Sequence, residues 1–494
     1  MRHIRTSSSG EHRALVPVLV CLGMLVAIVS SLGAPLIPTI ADVDHVSVTT
    51  AQWSLTVTML MGAVATPAMG RLGDGPHRRK VIIGGLATVL VGSLLAALPL
   101  GFGFLLTGRA LQGVGMGLVP LAIATARDAL PPDRARSALA TLSLTTVAGV
   151  GLGYPLTGLL AQYFGMYAGF WFAVIAAAAA LIAAALVLPE PPRRPAHPMD
   201  VPGAVLLTVG MTALLFALTE GERWGWTSVR LLALAAVAVL LLIGWVIHEL
   251  RAPHPLVDVR LVRDRTVLMA DFTTMIGGIG TYLLISLVTR YLQTPRSAGY
   301  GFGSSVVVTG LVLVPFSVAS LVSGRLVRLL ARRNPLTRLL PLGCLLSLAA
   351  MLCFVFARGS MWGVCVTMAV AGLGVGFNFA VTPALIVGAV PAHETGSAMS
   401  FNQVVKYIGY SAGSALSAVI LQAHTAPGQT LPSNDGYRTA GLLGCAVWLL
   451  TALVSVALIR QGTRRPRSAG PHEPAGDPAP GHDESTPRST GAQR

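Results

Sequence analysis

Three ionisable side chains lie inside long apolar stretches of the sequence, where a charge is energetically unfavourable. They are Arg109, Asp271 and Lys406. A charge near the centre of a bilayer costs about 2.5–3.5 kcal/mol on insertion scales, so such residues usually face the protein interior or water. A carboxylate in such a place can carry a proton, and a cation can hold an anionic group or bias a nearby proton site. These residues are therefore candidates for ion coupling and substrate binding.

Polar neighbours accompany two of these charges. Gln112 follows Arg109 by about one helical turn, and Asn402 and Lys406 share a helix face because they are spaced i and i+4. The spacing of Asn402 and Lys406 predicts that these two residues line a cavity. Each charge also has a plainer alternative: Arg109 snorkels to the outer interface, Asp271 is an interfacial carboxylate, and Lys406 anchors a helix end.

A basic loop at 70–81 contains one acid. It reads GRLGDGPHRRKV, with Asp74 among arginines that include Arg78 and Arg79, and it opens on Gly70. A loop that only sets membrane topology needs the positive charges. Such a loop does not require Asp74.

A glycine-rich run at 149–158 reads GVGLGYPLTG. Gly149, Gly153 and Gly158 give a helix a smooth face, and Pro155 weakens its backbone nearby. Small residues at this spacing let two membrane helices approach closely, so helix packing alone is one explanation.

No catalytic constellation of a soluble enzyme is present. The sequence lacks a phosphate-binding Gly-x-x-x-x-Gly-Lys-[Ser/Thr] loop and a His/Cys metal cluster. The five cysteines lie in apolar runs without disulfide or metal-site spacing. We therefore expect neither an enzyme nor a cofactor or metal, and any drive must come from an ion or substrate gradient.

The composition is that of a membrane protein. Of 494 residues, 53% are hydrophobic and 11% are charged, whereas soluble domains have about a quarter of their residues charged. Apolar runs recur near the roughly 20 residues needed to cross the hydrocarbon. They predict spans near 15–40, 52–70, 81–100, 103–126, 138–162, 168–188, 201–220, 230–250, 266–291, 303–325, 337–357, 361–388, 397–423 and 438–460.

The basic residues are concentrated in alternate segments between these spans. The positive-inside rule places those segments, and both termini, in the cytoplasm of a multi-pass protein of the inner (plasma) membrane. The same placement explains the formal net charge of +15 and removes nucleic acid as a partner.

The sequence also contains an internal repeat. Patterns at 70–72, 113–117 and 149–153 reappear in the same order at 324–326, 372–376 and 409–413. Six predicted spans in each half, with two between them, give the halves one orientation, as in parallel-repeat transporters.

The predicted fold is an all-α membrane protein with fourteen spans, two six-helix bundles and a central two-helix hairpin. Its predicted divisions are a cytoplasmic arm at 1–14, an N-terminal bundle at 15–190, a linker with two extra spans at 191–262, a C-terminal bundle at 263–460 and a disordered tail at 461–494.

Three motifs resemble the major facilitator superfamily and, with the span count, its fourteen-span drug:proton antiporter branch. The loop at 70–81 looks like the signature G-x-L-x-D-x-x-G-R-[RK]. The run from Arg109 through Gln112 to Gly117 resembles R-x-x-Q-G-x-G, and 149–158 looks like a variant of the antiporter motif. The resemblance covers about 15–460 and implies a major facilitator fold.

The resemblance also implies roles for these residues. Asp74 would gate the transporter by meeting the N-terminus of the helix that begins near Glu394, and the bend at 149–158 would seal the cavity against proton leak. Val29 stands where many members of the branch carry a first-span aspartate, which shifts proton coupling to Asp271. The residues assigned to coupling or substrate are Arg109, Gln112, Asp271, Asn402 and Lys406.

Together these features predict a secondary transporter that exports amphipathic small molecules, such as drugs or antibiotics, in exchange for protons. The alternatives are an exporter of an endogenous metabolite or siderophore and a non-transporting membrane sensor; the short polar termini speak against the sensor. We expect a monomer in the lipid bilayer whose partners are a small-molecule substrate and protons.

Overall fold

The computed structural model describes residues 11–32, 36–46, 48–190, 200–253, 255–256, 260, 264–426, 429 and 431–462, and these contain helices and no strand. The predicted tail and the start of the linker fall almost wholly outside them. The helices are α1 (Glu11–Ser31), α2 (Ile37–Val43), α3 (Val48–Asp74), α4 (Arg78–Ala97), α5 (Phe102–Val114), α6 (Leu118–Ala129), α7 (Pro132–Phe164), α8 (Ala168–Val187), α9 (Val201–Trp224), α10 (Val229–Arg251), α11 (Arg265–Gln293), α12 (Val306–Val312), α13 (Val314–Ala331), α14 (Leu336–Ala357), α15 (Met361–Ala389), α16 (Thr395–Ala423) and α17 (Asn434–Gly462).

Thirteen helical segments among the described residues are long and apolar enough to cross a membrane. They account for thirteen of the fourteen predicted spans. The remaining prediction, 138–162, falls in α7, which is helical over 33 residues but is not one of the thirteen. An all-helical architecture is what a bilayer requires, because each helix satisfies its own backbone polar groups.

The structure divides two of the predicted spans into separate helical segments. Helix α1 begins at Glu11, within the predicted arm 1–14. The predicted first span at 15–40 comprises two helices, α1 and the short α2. The fourth predicted span is interrupted by a 3-10 turn at Gly115–Gly117, because closely spaced glycines weaken the α-helix.

The starts of several helices are fixed by side chains that cap the free N–H groups of the first turn. Asp200 accepts a hydrogen bond from Gly203 N at the start of α9 (3.0 Å), and Asp264 accepts one from Thr266 N at the start of α11 (2.7 Å). The Asp200 cap fixes the start of α9, the first helix of the α9–α10 hairpin. The Asp264 cap fixes the start of α11, the first helix after the hairpin.

The two halves, α1–α8 and α11–α17, contact each other through helices that correspond in the internal repeat. Helix α3 packs on α16, and α13, the counterpart of α3, packs on α7. A Cβ on Gly324 of α13 would overlap Leu144 of α7, just as one on Gly70 of α3 would overlap Ser400 of α16. Glycine thus permits close helix approach at both inter-half contacts.

The hairpin of α9 and α10 lies against both halves. Leu207 and Met211 of α9 and Trp245 of α10 form a buried cluster with Ala63 of α3 and Val404 of α16. The outer face of α10 leaves large apolar side chains exposed, as expected for a helix that faces lipid.

Candidate functional site

The Asp74 carboxylate caps a helix of the other half. It ends α3 and is 7% exposed. Its Oδ1 accepts a hydrogen bond from Gly396 N (2.8 Å), and its Oδ2 accepts bonds from the Ser397 N–H (2.8 Å) and hydroxyl (2.6 Å). Both donor residues lie in the first turn of α16, whose N–H groups have no intrahelical partner and form the positive end of the helix dipole. This is the position that the resemblance implies for Asp74.

Two glycines make this contact possible. Gly70 lies one turn before Asp74, and a Cβ there would come 2.9 Å from Gly396 O and overlap the Ser400 side chain. A Cβ on Gly396 would lie 2.5 Å from Asp74 Oδ1. Side chains at these positions would therefore force α3 and α16 apart and break the carboxylate cap.

Arg78 and Arg79 fasten the basic loop within the first half. Arg78 Nη1 forms an ion pair with Asp128 Oδ2 of α6 at 2.6 Å, and Arg78 Nε donates to Gly73 O at 2.7 Å. Arg79 Nη2 donates to Ala185 O of α8 at 2.6 Å. The loop is thus anchored to α6 and α8, which holds the end of α3 in place.

A second contact between the halves was missed by the sequence analysis. Arg127 of α6 donates to Val390 O (2.9 Å), to Pro391 O (3.3 Å) and to the Thr395 hydroxyl. Its only signal in the sequence is its place in the basic segment after the fourth span. That signal does not reveal partners that lie more than 260 residues away.

Arg109 is completely buried and joins three helices of the first half. Its guanidinium donates to Val29 O of α1 (2.8 Å), to Ser54 O of α3 (3.1 Å) and to Gln112 Oε1 of its own helix (2.7 Å). Gln112 in turn donates to Ser93 of α4 at 2.9 Å. A snorkelling arginine would reach the surface, so this placement disagrees with that alternative and agrees with a fork that holds several carbonyls.

The structure brings Asp271 and Asn402 together. Asp271 of α11 is 4% exposed, and its Oδ1 accepts a hydrogen bond from Asn402 Nδ2 of α16 at 2.8 Å. Asn402 also donates to Thr274 at 3.0 Å. The buried Oδ2 of Asp271 has no hydrogen-bond partner in the described part of the chain. The interfacial alternative for Asp271 does not fit this burial. Its partner is also in the second half, so the structure does not join it to Arg109.

Lys406 lies one turn after Asn402 and is 7% exposed. Its Nζ donates to Gln403 Oε1 and lies 4.7 Å from the ring centre of Phe379 and 5.8 Å from that of Tyr407. The side chain borders two cavities of about 50 Å³ and 90 Å³ between the halves. An anchor at a helix end would be exposed, so the cavity position favours the first interpretation of Lys406.

The glycine run of α7 packs against α1 and reaches the other half. A Cβ on Gly149 would lie 2.6 Å from Ala27 Cβ, and one on Gly153 would overlap Ser31 of α1. A Cβ on Gly158 would lie 3.3 Å from Val307 Cγ2 of α12. Pro155 lies inside α7, which continues through it. Close helix packing is thus observed for this run.

The site combines three separate features. One is the set of charge-assisted hydrogen bonds between the halves at Asp74. Another is the buried acid Asp271, whose Oδ2 has no hydrogen-bond partner among the described residues, and the third is Lys406 at the central cavities. The described residues include no group of three or more His, Cys, Asp or Glu that could hold a metal ion. All five cysteines are free thiols.

Comparison with known proteins identifies a family. The profile of the Major Facilitator Superfamily matches residues 19–414 and 275–481. A tetracenomycin C resistance and export protein of Streptomyces glaucescens is 30% identical over 443 residues, with 84% of this chain and 78% of that protein covered. The multidrug efflux pump LfrA of Mycolicibacterium smegmatis is 28% identical over 437 residues, with 86% and 84% covered.

Solved structures share the fold. The human organic anion transporter MFSD10 aligns with a TM-score of 0.65 at 17% identity over 91% of this chain and all of that one. A peptide transporter, POT, aligns with a TM-score of 0.57 at 16% identity over 93% of this chain and 97% of that one. At such identities the likeness concerns the fold alone.

Proposed function

Since this chain belongs to the major facilitator superfamily, and is thus a membrane transporter and not an enzyme, we infer that it exports amphipathic small molecules such as drugs or antibiotics in exchange for protons. The relatives named as a tetracenomycin C resistance and export protein and as a multidrug efflux pump support this direction of transport and class of substrate.

The observation that carries the proposal is the contact of Asp74 with Gly396 and Ser397. Three hydrogen bonds to one carboxylate hold the halves together at one end. Hydrogen bonds to charged groups contribute about 1.5–3 kcal/mol each, so the three bonds together favour the closed conformation. The contact joins the ends of two rigid helices, so it forms when this end closes and breaks when the halves rock apart. Alternating access requires such a gate.

Asp271 is the proposed proton carrier. It is a buried acid in the second half, with one oxygen bound by Asn402 and the other without a hydrogen-bond partner among the described residues. Val29 in α1 has no titratable group, so the first span cannot take this role. Arg109, Gln112 and Lys406 are proposed to serve transport as well, the first two by positioning α1, α3 and α5 and Lys406 at the cavity.

The proposal also includes the fourteen-span topology of the drug:proton antiporter branch. Helix α7 is proposed as the one span that the thirteen apolar segments leave out, and it is the fifth in chain order. It is 33 residues long, and at 1.5 Å per residue its length exceeds the ~30 Å of hydrocarbon. Both termini then lie in the cytoplasm, with bundles at 15–190 and 263–460 and the hairpin between them. The run Gly149, Gly153, Pro155 and Gly158 is proposed to seal the cavity by its tight packing.

The second candidate is export of an endogenous metabolite or siderophore, which the same fold and gate would serve. A susceptibility panel separates the two. The gene is expressed in a host that lacks its own efflux pumps, beside the Asp74→Asn variant at equal abundance. We expect the wild type to raise the inhibitory concentration of one or more compounds at least fourfold, and the variant to remove that gain. No gain for any toxic compound would favour the metabolite.

A further inference from the structure

We propose that the central cavities select organic anions with a flat aromatic body, and that Lys406 is the counter-charge. This inference rests on the proposed export function and adds the chemical class of its substrate. It predicts that lipophilic cations, which are common toxic amphiphiles, are poor substrates of this chain.

The charge of the cavity walls points to an anion. The two cavities share Lys406 in their lining, and it is the only Lys, Arg, Asp or Glu among the described residues that line either one. The acid Asp271 lies behind Asn402 and does not belong to the lining. A cation in either cavity would therefore meet a positive side chain and no carboxylate. Like charges repel strongly where water is scarce.

Lys406 can also form a stronger interaction than its present ones. Its present contacts are the amide oxygen of Gln403 and the ring faces of Phe379 and Tyr407. A carboxylate, sulfonate or phenolate would replace the neutral amide oxygen by a charge-assisted bond, which is about twice as strong. A buried cation with only neutral partners gains most from an arriving anion, because burial without a counter-charge is costly.

The other walls suit a flat aromatic body. Tyr282 of α11 and Tyr410 of α16 stack with ring centres 4.1 Å apart, and Tyr410 lines both cavities. Phe379 lies beside Lys406 in both linings. Aromatic rings favour offset stacking with other rings, so a planar ligand can extend this stack. The cavities hold only a few waters in the closed state, so such a ligand enters when the halves separate.

The test uses two probes that differ in one group. 8-Anilinonaphthalene-1-sulfonate carries a permanent negative charge, and N-phenyl-1-naphthylamine has the same aromatic skeleton without it. Ethidium serves as the planar cation. Binding of each probe to the purified full-length chain in detergent is measured by fluorescence titration, and transport is measured in liposomes. Binding decides the charge preference even if no probe is pumped, so failure of export and failure of this inference remain distinguishable.

We expect the wild type to bind the sulfonate at least tenfold more tightly than the neutral amine and than ethidium. Lys406→Met should bring the ratio for the sulfonate and the amine close to one, while Lys406→Arg should keep most of it. Lys80→Met, which removes an exposed lysine of the basic loop, is the matched control and should bind as the wild type does. Equal or tighter binding of ethidium by the wild type, an unchanged ratio in Lys406→Met, or no binding of the sulfonate at its solubility limit would each overturn the inference.

Discussion

Asp74 at the end of α3 and Ser397 in the first turn of α16 are 323 residues apart in the sequence, yet the Asp74 carboxylate accepts two hydrogen bonds from Ser397, at 2.8 and 2.6 Å. The first residue belongs to one half of the molecule and the second to the other. Because one helix ends where another begins, a small rotation of either half separates the pair. This geometry makes Asp74 the most direct point at which to perturb the transport cycle.

Asp74→Asn tests the gate. The amide keeps the size of the side chain but presents an NH₂ group to N–H donors and loses the negative charge at the helix N-terminus. Loss of one charge-assisted bond, about 1.5–3 kcal/mol, lowers the ratio of closed to open protein by roughly tenfold or more. We expect normal abundance and at least a tenfold slower efflux from liposomes. Ser397→Ala, which removes one of the three bonds, should be intermediate. A purified Asp74→Asn protein that pumps as fast as the wild type would leave the loop with a topogenic role only.

How far the sequence reveals this site differs from residue to residue. Asp74 stood out because an acid in a basic loop is not needed for topology, and the family resemblance supplied its partner helix. Asp271 and Lys406 stood out because a charge in an apolar helix needs an internal environment. The bond between Asp271 and Asn402 could not be read from the sequence, since it depends on how α11 and α16 pack. Arg127 was missed for the same reason: a basic residue at a helix end looks like any topogenic charge.

The fold was more accessible than the site. Runs of apolar residues predicted nearly every helix, because span length follows from bilayer thickness. The differences lie where a predicted span contains more than one helical segment: α1 and α2 in the first span, and the 3-10 turn of Gly115–Gly117 in the fourth. Helix α7 is not among the thirteen apolar segments found in the described residues, and its membrane position is still a prediction.

Arg109→Lys tests whether the fork geometry matters. The guanidinium serves acceptors on three helices, and an ammonium cannot reach them all at once. We expect the Lys variant to lose at least 90% of transport and to unfold at a lower temperature in detergent, and Arg109→Ala to abolish transport. The matched control is Arg230→Lys, at an exposed arginine, which should behave as the wild type does. Full activity of Arg109→Lys in a pH-jump assay would show that a point charge suffices.

Membrane topology is tested by reporter fusions. The fourteen-span proposal places fusions after residues 44 and 225 outside the cell and fusions after residues 76, 196 and 330 inside. The fusion at 225 is decisive because it follows α9, the first helix of the hairpin. An inside signal there would remove the hairpin from the membrane and end the assignment to the fourteen-span branch.

Asp271→Asn separates coupling from transport. Asparagine can still accept the hydrogen bond from Asn402 but cannot take up a proton. We expect efflux driven by a pH gradient to fall at least tenfold, while downhill exchange of substrate across the same liposomes stays within about twofold of the wild type. Asp264→Asn, seven residues earlier, is the control because asparagine caps a helix as well as aspartate does. Undiminished gradient-driven efflux in Asp271→Asn would exclude Asp271 as the proton carrier.

Proton-driven export itself is tested most directly by following substrate and protons together. The purified chain is reconstituted into liposomes with a compound identified by the susceptibility panel, a pH gradient is imposed, and both movements are recorded beside protein-free liposomes. We predict that the substrate accumulates on the acidic side against its own gradient, that protons move the opposite way, and that a protonophore abolishes the accumulation. Substrate that only equilibrates, or that accumulates in response to a sodium gradient instead, would contradict the proposal.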